Sequence, residues 1–389
     1  MTELQQLINE LCPNGVKFAA LEECCKILDN KRKPVTKAAR QAGEYPYYGA
    51  NGIQDYVSDY IFDGIFVLVG EDGSVVTPSG NPVVNWATGK IWVNNHAHII
   101  EEKDGVLLRY LYHYLQTVNV SALIHGNIPK LTGGDFRAIK VPVPPLPVQS
   151  EIVRILDNFT ELTAELTAEL TARKQQYAHY RDTLLKLDNN VPSYTLKDIC
   201  LSIADGDHMP PPKADSGVPF ITISNITETR QIDFSNVMYV PREYYDKLAD
   251  KRKAKRDDIL YTVVGSFGIP VHISSKTEFV FQRHIAILRP NQQMIVPRYM
   301  YHIMQSTEFY KQADKAAKGA AQRTIGLSSL GNMTIPLPSI EEQKRIVAIL
   351  DRFDTLCNDI SAGLPAEIEA RQKQYEYYRD KVLTFEPAK

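Results

Sequence analysis

The sequence predicts an α+β (mixed α/β) fold: two homologous globular units, kept apart by two long antiparallel helical spacers of coiled-coil type and related by a pseudo-twofold axis. Three observations carry this prediction. One segment recurs after about 190 positions, each copy runs into a stretch with apolar residues at helical spacing, and the segments ahead of those stretches mix short β-rich runs with Gly, Pro and Asn turns.

The repeat comes first, because a period this long marks duplicated domains and not a solenoid of small stacked units. Residues 141–162 (VPVPPLPVQSEIVRILDNFTEL) align without a gap to 335–356 (IPLPSIEEQKRIVAILDRFDTL), and 173–185 (RKQQYAHYRDTLL) align to 371–383 (RQKQYEYYRDKVL). Looser matches join 109–117 (RYLYHYLQT) to 298–306 (RYMYHIMQS) and 66–73 (FVLVGEDG) to 261–268 (YTVVGSFG), while His96 takes the place of His284. The order is unit, helix, unit, helix, with boundaries at 1–147, 148–188, 189–338 and 339–386.

In the globular units, runs such as 65–69, 91–93, 259–264 and 279–281 read as strands. Residues 107–117 and 297–310 read as helices. The first spacer is a helix over 151–187, on the order of 50 Å long, with Leu156, Phe159, Leu166, Leu170, Tyr177, Tyr180 and Leu184 along one stripe. Within it, 161–172 read ELTAELTAELTA, a unit close to one helical turn, so adding or removing one changes length with little rotation of the stripe. The second spacer contains Gly363-Leu364-Pro365, a stop and restart signal, and is expected as two helices. Each stripe needs a partner, and the simplest partner is the other copy.

Composition limits the functional classes. At 389 residues and 44% apolar the chain can bury ordinary cores, and no apolar run approaches a bilayer span. The opening 17 residues are acidic and amphipathic, unlike a secretory signal, so a cytoplasmic location without membrane contact is expected. Five cysteines without a C-x-x-C pair are expected as reduced thiols. The net charge of −2 conceals an asymmetry: only residues 190–335 are basic, with 18 Lys and Arg against 14 Asp and Glu. Five of the 18 fall within 251–256, a cluster able to neutralise phosphates, although charge runs are more often solvated faces.

Taken together, the paired V-P-x-P and I-P-L-P junctions, the I-V-x-I-L-D-x-F helices, the Y-x-x-Y-R-D ends and the segments EYPYYGANGI (44–53) and ILYTVVGSFG (259–268) resemble the specificity subunits of type I restriction-modification enzymes over essentially the whole chain. The resemblance implies two target-recognition domains, each reading one half of a bipartite double-stranded DNA site. It also implies spacers that dock two methyltransferase subunits, and further restriction and motor subunits that act on the assembled complex. No cofactor is expected on this chain. S-adenosylmethionine, ATP and Mg belong on the partner subunits, and the E-L-T-A units resemble the family's adjustable spacer. Two related but non-identical domains predict an asymmetric site, in contrast to the palindrome read by a symmetric dimer.

A free-standing enzyme is the main competitor. The chain has no N-P-P-[FY] motif, no Gly-rich methionine-cofactor loop and no phosphate loop, and Glu101-x-Lys103 lacks the acidic partner of a nuclease site, so no catalytic residue is expected. His96 and His98 share a strand face, but no further metal ligand is identifiable and no metal is expected. A coiled-coil adaptor would leave the duplicated domains unexplained.

The candidates for DNA contact are polar or basic residues beside Gly or aromatics: Lys31, Arg32, Lys33, Tyr47, Asn51 and Lys90 in the first unit, and Lys251, Arg252, Lys253, Arg256, Ser266, Arg283, Gln322 and Arg323 in the second. Arg and Gln can pair bidentately with guanine and adenine edges, while lysines suit phosphates. Tyr177, Tyr180, Tyr375 and Tyr378 recur at helical spacing and are assigned to helix packing or methyltransferase docking.

Overall fold

A computed structural model of the chain describes residues 3–389 apart from 74, 189, 207–210, 321 and 360. Two compact units emerge, one formed by residues 1–165 with 370–389 and the other by residues 166–369.

In the first unit, strands β1 (Lys26–Ile27), β2 (Ala42–Gly49), β3 (Gly52–Val57), β4 (Phe62–Gly70), β5 (Val84–Val93) and β6 (Ala97–Glu101) form one sheet in the order β1-β6-β4-β5-β2-β3. The register of β4 on β5 runs antiparallel from Phe62↔Ile91 to Val69↔Val84, and β2 lies parallel to β5. Sequence reading captured only the last part of β5, because its first half, Val84 to Thr88, mixes Asn85 and Thr88 with Val84, Trp86 and the buried Ala87 and so shows no continuous β-rich run. The FVLV run of β4 is apolar throughout because both its faces are covered: Val67 and Val69 enter one core, Phe66 and Leu68 another. Helix α1 (Leu108–Leu115) adds Leu108, Tyr110, Leu111 and Leu115 to the first of these cores, and α2 (Gly133–Ala138) adds Phe136.

The second unit divides its strands between two sheets. Strands β7 (Cys200–Asp205), β8 (Val218–Ile221), β9 (Met238–Val240), β10 (Ile259–Thr262), β11 (Pro270–His272), β12 (Val280–Phe281) and β13 (Ile285–Pro290) form a four-stranded sheet, β7-β13-β10-β11, and a three-stranded sheet, β9-β8-β12. Strand β10 again divides its side chains, with Ile259 and Tyr261 in one core and Leu260 in the other. The stretch 297–310, read from sequence as a single helix, is two. Helix α3 (Pro297–Ile303) stops, and Ser306 caps α4 (Thr307–Ala316) by accepting from the Phe309 amide at 3.2 Å. An internal Ser cannot be told from a cap by apolar periodicity alone.

At each junction a short strand closes on the proline-rich segment: Phe18–Ala20 pairs with Lys140–Pro142, and Ser193–Thr195 with Thr334–Pro336. After the junctions come the rods. Helix α5 (Leu146–Leu184) has 39 residues, about 58 Å at 1.5 Å per residue, and the second rod breaks at the Gly-Leu-Pro signal into α6 (Ile340–Asn358) and α7 (Leu364–Val382). Ile360, the residue beside that break, lies outside the described residues. In the first unit the early part of α5 packs against the end of α7, with Phe159 stacked on Tyr378 at 5.4 Å; in the second the late part of α5 packs against α6, with Tyr180 stacked on Phe353 at 5.4 Å.

Candidate nucleic-acid interface

The most repeated residues build a frame that fixes the short helix of each unit to the rods. In the first unit Arg109 Nε and His113 Nε2 both donate to Asp157 Oδ1 at 2.8 Å, and the Tyr375 hydroxyl lies 3.0 Å from His113 Nδ1. In the second, Arg298 Nε (2.9 Å) and His302 Nε2 (2.6 Å) donate to Asp351 Oδ1, and the Tyr177 hydroxyl lies 2.9 Å from His302 Nδ1. A carboxylate can only accept, so Nε2 carries the proton and Nδ1 accepts from the tyrosine. Burial drives His113 down to about 4 against the pull of Asp157, and it lowers His302 as well, so both rings are neutral at pH 7. Gln149 and Gln343 complete the frame. Each accepts from the backbone amide ahead of the short helix (Leu107 at 2.9 Å, Val296 at 2.8 Å) and donates to two carbonyls, one of them from Pro144 or Pro338.

The candidate contact residues of the first unit divide by exposure. Lys31, Lys33, Asn51 and Lys90 are exposed, Asn51 at the β2–β3 turn and Lys90 with its ammonium 4.6 Å from the Tyr60 ring centre. Arg32 is turned inward: it donates to Glu71 at 2.6 Å and to the carbonyls of Ala97 at 2.6 Å and Asp29 at 2.9 Å. Tyr47 is buried, its hydroxyl receiving the Val35 amide at 3.0 Å, so it supports the 35–41 segment from beneath. Arg32 belongs to a network invisible in the sequence. His98 Nδ1 lies 2.7 Å from Asp29 and its Nε2 3.0 Å from the Leu131 carbonyl, while the ring stacks on Phe136 at 4.2 Å. Burial works to raise the Asp29 pKa, yet hydrogen bonds from His98 and the Ile99 amide hold it below the usual carboxylate range. Asp29, Glu71 and His98 have the donor atoms for a metal, all within 4.8 Å, and the Arg32 guanidinium neutralises this pair of carboxylates from within the protein. His96 instead contacts Asp72.

In the second unit the candidates collect at opposite ends of β10. At its start, Lys251 and Arg256 are exposed, Arg252 lies 3.5 Å from Asp205, and Lys253 donates to the Asp246 carbonyl at 2.9 Å. Arg289, which sequence reading missed, organises this turn by binding Asp250 at 2.8 Å, Asp258 at 3.1 Å and the Lys253 carbonyl at 2.8 Å. At the other end Ser266, Arg283 and Gln322 are exposed around backbone joints from Gly265 to Arg323 (3.0 Å) and from Val263 to His284 (2.8 Å). Arg323 is steadied by Asp314 at 2.7 Å and lies over Phe267, whose ring stacks on Tyr310. The structure therefore brings Ser266, Arg283, Gln322 and Arg323 together and leaves the 251–256 cluster at the far end of the strand.

The profile of the type I restriction modification DNA specificity domain matches residues 13–173 and again 189–370, once over each sheet with its following helix. The chain belongs to this specificity family. Across 95% of this specificity-family chain and 96% of the relative, 38% of residues are identical to a type I restriction enzyme specificity subunit of Haemophilus influenzae. The EcoR124I/EcoR124II specificity subunit of Escherichia coli is 36% identical over 73% of this chain and 72% of its own. Among solved structures, the S subunit of a type I restriction-modification system from M. genitalium superposes with a TM-score of 0.57 at 15% identity, covering 95% of this chain and 96% of that one, which supports the fold. A structure concerned with assembly of the type I system gives 0.52 at 16% identity over 95% and 98% of the two chains. Among the described residues no helix of this family member is long and apolar enough to cross a membrane.

Of the four rod tyrosines, Tyr177 and Tyr375 are buried and belong to the frame. Tyr180 and Tyr378 are each 41% exposed and stack on Phe353 and Phe159, the equivalent phenylalanines of the two repeats.

Proposed function

We propose that the chain is the non-catalytic specificity subunit of a type I restriction-modification complex, reading an asymmetric, bipartite double-stranded DNA site with one half-site per globular unit. The observation that carries this reading is a frame held constant between units whose tips differ. The Arg-His-Asp-Tyr frame is built twice from equivalent residues, while the loop after β4 carries Glu71 and Asp72, held inward by Arg32 and His96, and the loop after β10 presents the exposed Ser266. Identical frames with unlike tips suit two different half-sequences spaced along one duplex, near a helical turn apart. Base contact is assigned to Arg283, Gln322 and Arg323 in the second unit and to Asn51 in the first. The exposed lysines, 31, 33, 90 and 251, take phosphate contacts together with Arg256. Tyr180 and Tyr378 are assigned to two methyltransferase subunits, which supply S-adenosylmethionine chemistry, while restriction and motor subunits supply ATP- and Mg-dependent steps, all in the cytoplasm.

Mobility shift and footprinting with the cognate methyltransferase test the proposal. It expects two protected patches separated by an unprotected gap. A single continuous footprint, DNA binding without sequence preference, or methyl transfer by the purified chain alone would overturn it.

A further inference from the structure

The second unit contains a polar, half-open cavity of about 400 Å³ lined by the turn at 229–232, the segment after β11 and the end of α6. Arg230 in its wall is anomalous in two independent ways. Its backbone has a φ of +59°, and among the described residues only Asp257 shares that sign without being glycine. The position closes a tight hairpin, with Ile226 bridged to Ile232 and the Arg230 amide bound to the Thr227 carbonyl at 3.0 Å, where glycine is the favoured residue. Arginine there goes against backbone preference, and such strain concentrates at functional positions.

The second anomaly is chemical. Arg230 Nε is buried, and among the described residues no acceptor reaches it. A desolvated guanidinium N–H requires an acceptor. Two carboxylates share the lining, Asp354, which accepts from Arg298 at 2.7 Å and Asn358 at 2.8 Å, and Asp359, whose Oδ1 accepts from the Ser361 amide at 2.8 Å and hydroxyl at 2.6 Å, and neither reaches Arg230 Nε. The same cavity is lined by Ser274, Ser275 and Thr277, whose hydroxyls can donate, and by His272.

We propose that this cavity is a binding site for a phosphate-type oxyanion, with Arg230 as its charged donor and Ser274 together with one hydroxyl of the Ser275 and Thr277 pair, which are 3.0 Å apart and use one proton in the bond between them, as its neutral ones. At about 400 Å³ the cavity lies in the range that holds a small organic ligand. Two sources share this chemistry: a free phosphate or phosphate ester, and a DNA backbone phosphate. Only the second rests on the proposed function.

The test uses the full chain and Arg230→Gly, which removes the guanidinium and at the same time relieves the left-handed backbone, so the variant is expected to fold. Thermal unfolding is followed as inorganic phosphate replaces chloride at constant ionic strength. The wild-type Tm is expected to rise by a few degrees with phosphate, Arg230→Gly to match or exceed wild type without phosphate and show no rise, and Arg230→Lys to keep part of it. Salt titration of DNA binding by the methyltransferase complex separates the sources. A logarithmic slope shallower by about 1 in Arg230→Gly identifies a backbone phosphate, and an unchanged slope beside the Tm effect identifies a free one. An equal phosphate response in Arg230→Gly, or no response in wild type together with an unchanged slope, overturns the site. Absence of DNA binding by the wild-type complex would count against the proposed function and leave the phosphate measurement standing.

Discussion

The Tyr375 hydroxyl lies 3.0 Å from Nδ1 of His113, a contact between residues 262 positions apart in which both side chains are buried. It ties the end of α7 to the helix that backs the first sheet, and Tyr177 does the same for His302 in the second unit at 2.9 Å.

These tyrosines therefore act through stability. Tyr375→Phe and Tyr177→Phe each leave a buried imidazole nitrogen without its donor and are expected to cost about 1–3 kcal/mol in urea unfolding. Phenylalanine at Tyr180 or Tyr378 is expected to change stability by less than about 0.5 kcal/mol. Equal losses at all four positions would contradict the frame described here.

The neutral histidines give a pH dependence. His113 titrates near 4 in the folded unit and near 6.5 when unfolded, so as pH falls through this window the unfolded chain takes up a proton that the folded one refuses. Stability is complete above about pH 6.5 and declines toward pH 4, by on the order of 3 kcal/mol for this residue. The difference in unfolding free energy between wild type and His113→Gln should shrink over the same interval, and a constant difference would sink the assignment.

DNA contacts separate into two classes of effect. Arg283→Ala or Gln322→Ala is expected to relax preference at one base position, worth about 1–3 kcal/mol. Lys251→Ala is expected to weaken all sequences alike and lower the salt slope by about 1. Binding selections on randomised half-sites, repeated at several salt concentrations, distinguish the two patterns.

Under the proposed assembly, the exposed aromatic pairs carry the methyltransferase contacts. Replacing both Tyr180 and Tyr378 by Ala should reduce the affinity of the subunits at least tenfold in analytical ultracentrifugation while far-ultraviolet dichroism stays unchanged. Unaltered association would move the docking surface elsewhere.

What the sequence made legible follows from this division of labour. The repeat was readable because Arg109, His113, Gln149 and Asp157 answer to the same geometric demands as Arg298, His302, Gln343 and Asp351, and identical contacts keep identical side chains. The rods were readable from their stripe, and the break from Gly363 and Pro365. The contact surface was not. Arg32 and Tyr47 look like exposed ligands in a basic, aromatic stretch, but their partners, Glu71 and Ala97 for the first and Val35 for the second, are brought in by the packing of loops against the sheet, which no local pattern encodes. For the same reason His98 showed no partner in sequence, since Asp29 lies 69 positions away. Within 251–256 the charge run was visible, whereas its ties to Asp205 and Asp246 and the Arg289 clamp that orders the turn were not.

Methylation profiling of host DNA with and without this chain, in the presence of its methyltransferase, tests the central claim most directly. The account predicts that one motif appears, in two unlike parts separated by a fixed run of unspecified bases, and that Gln322→Ala alters one part only. A palindromic or uninterrupted motif, or a substitution that changes both parts together, would contradict it.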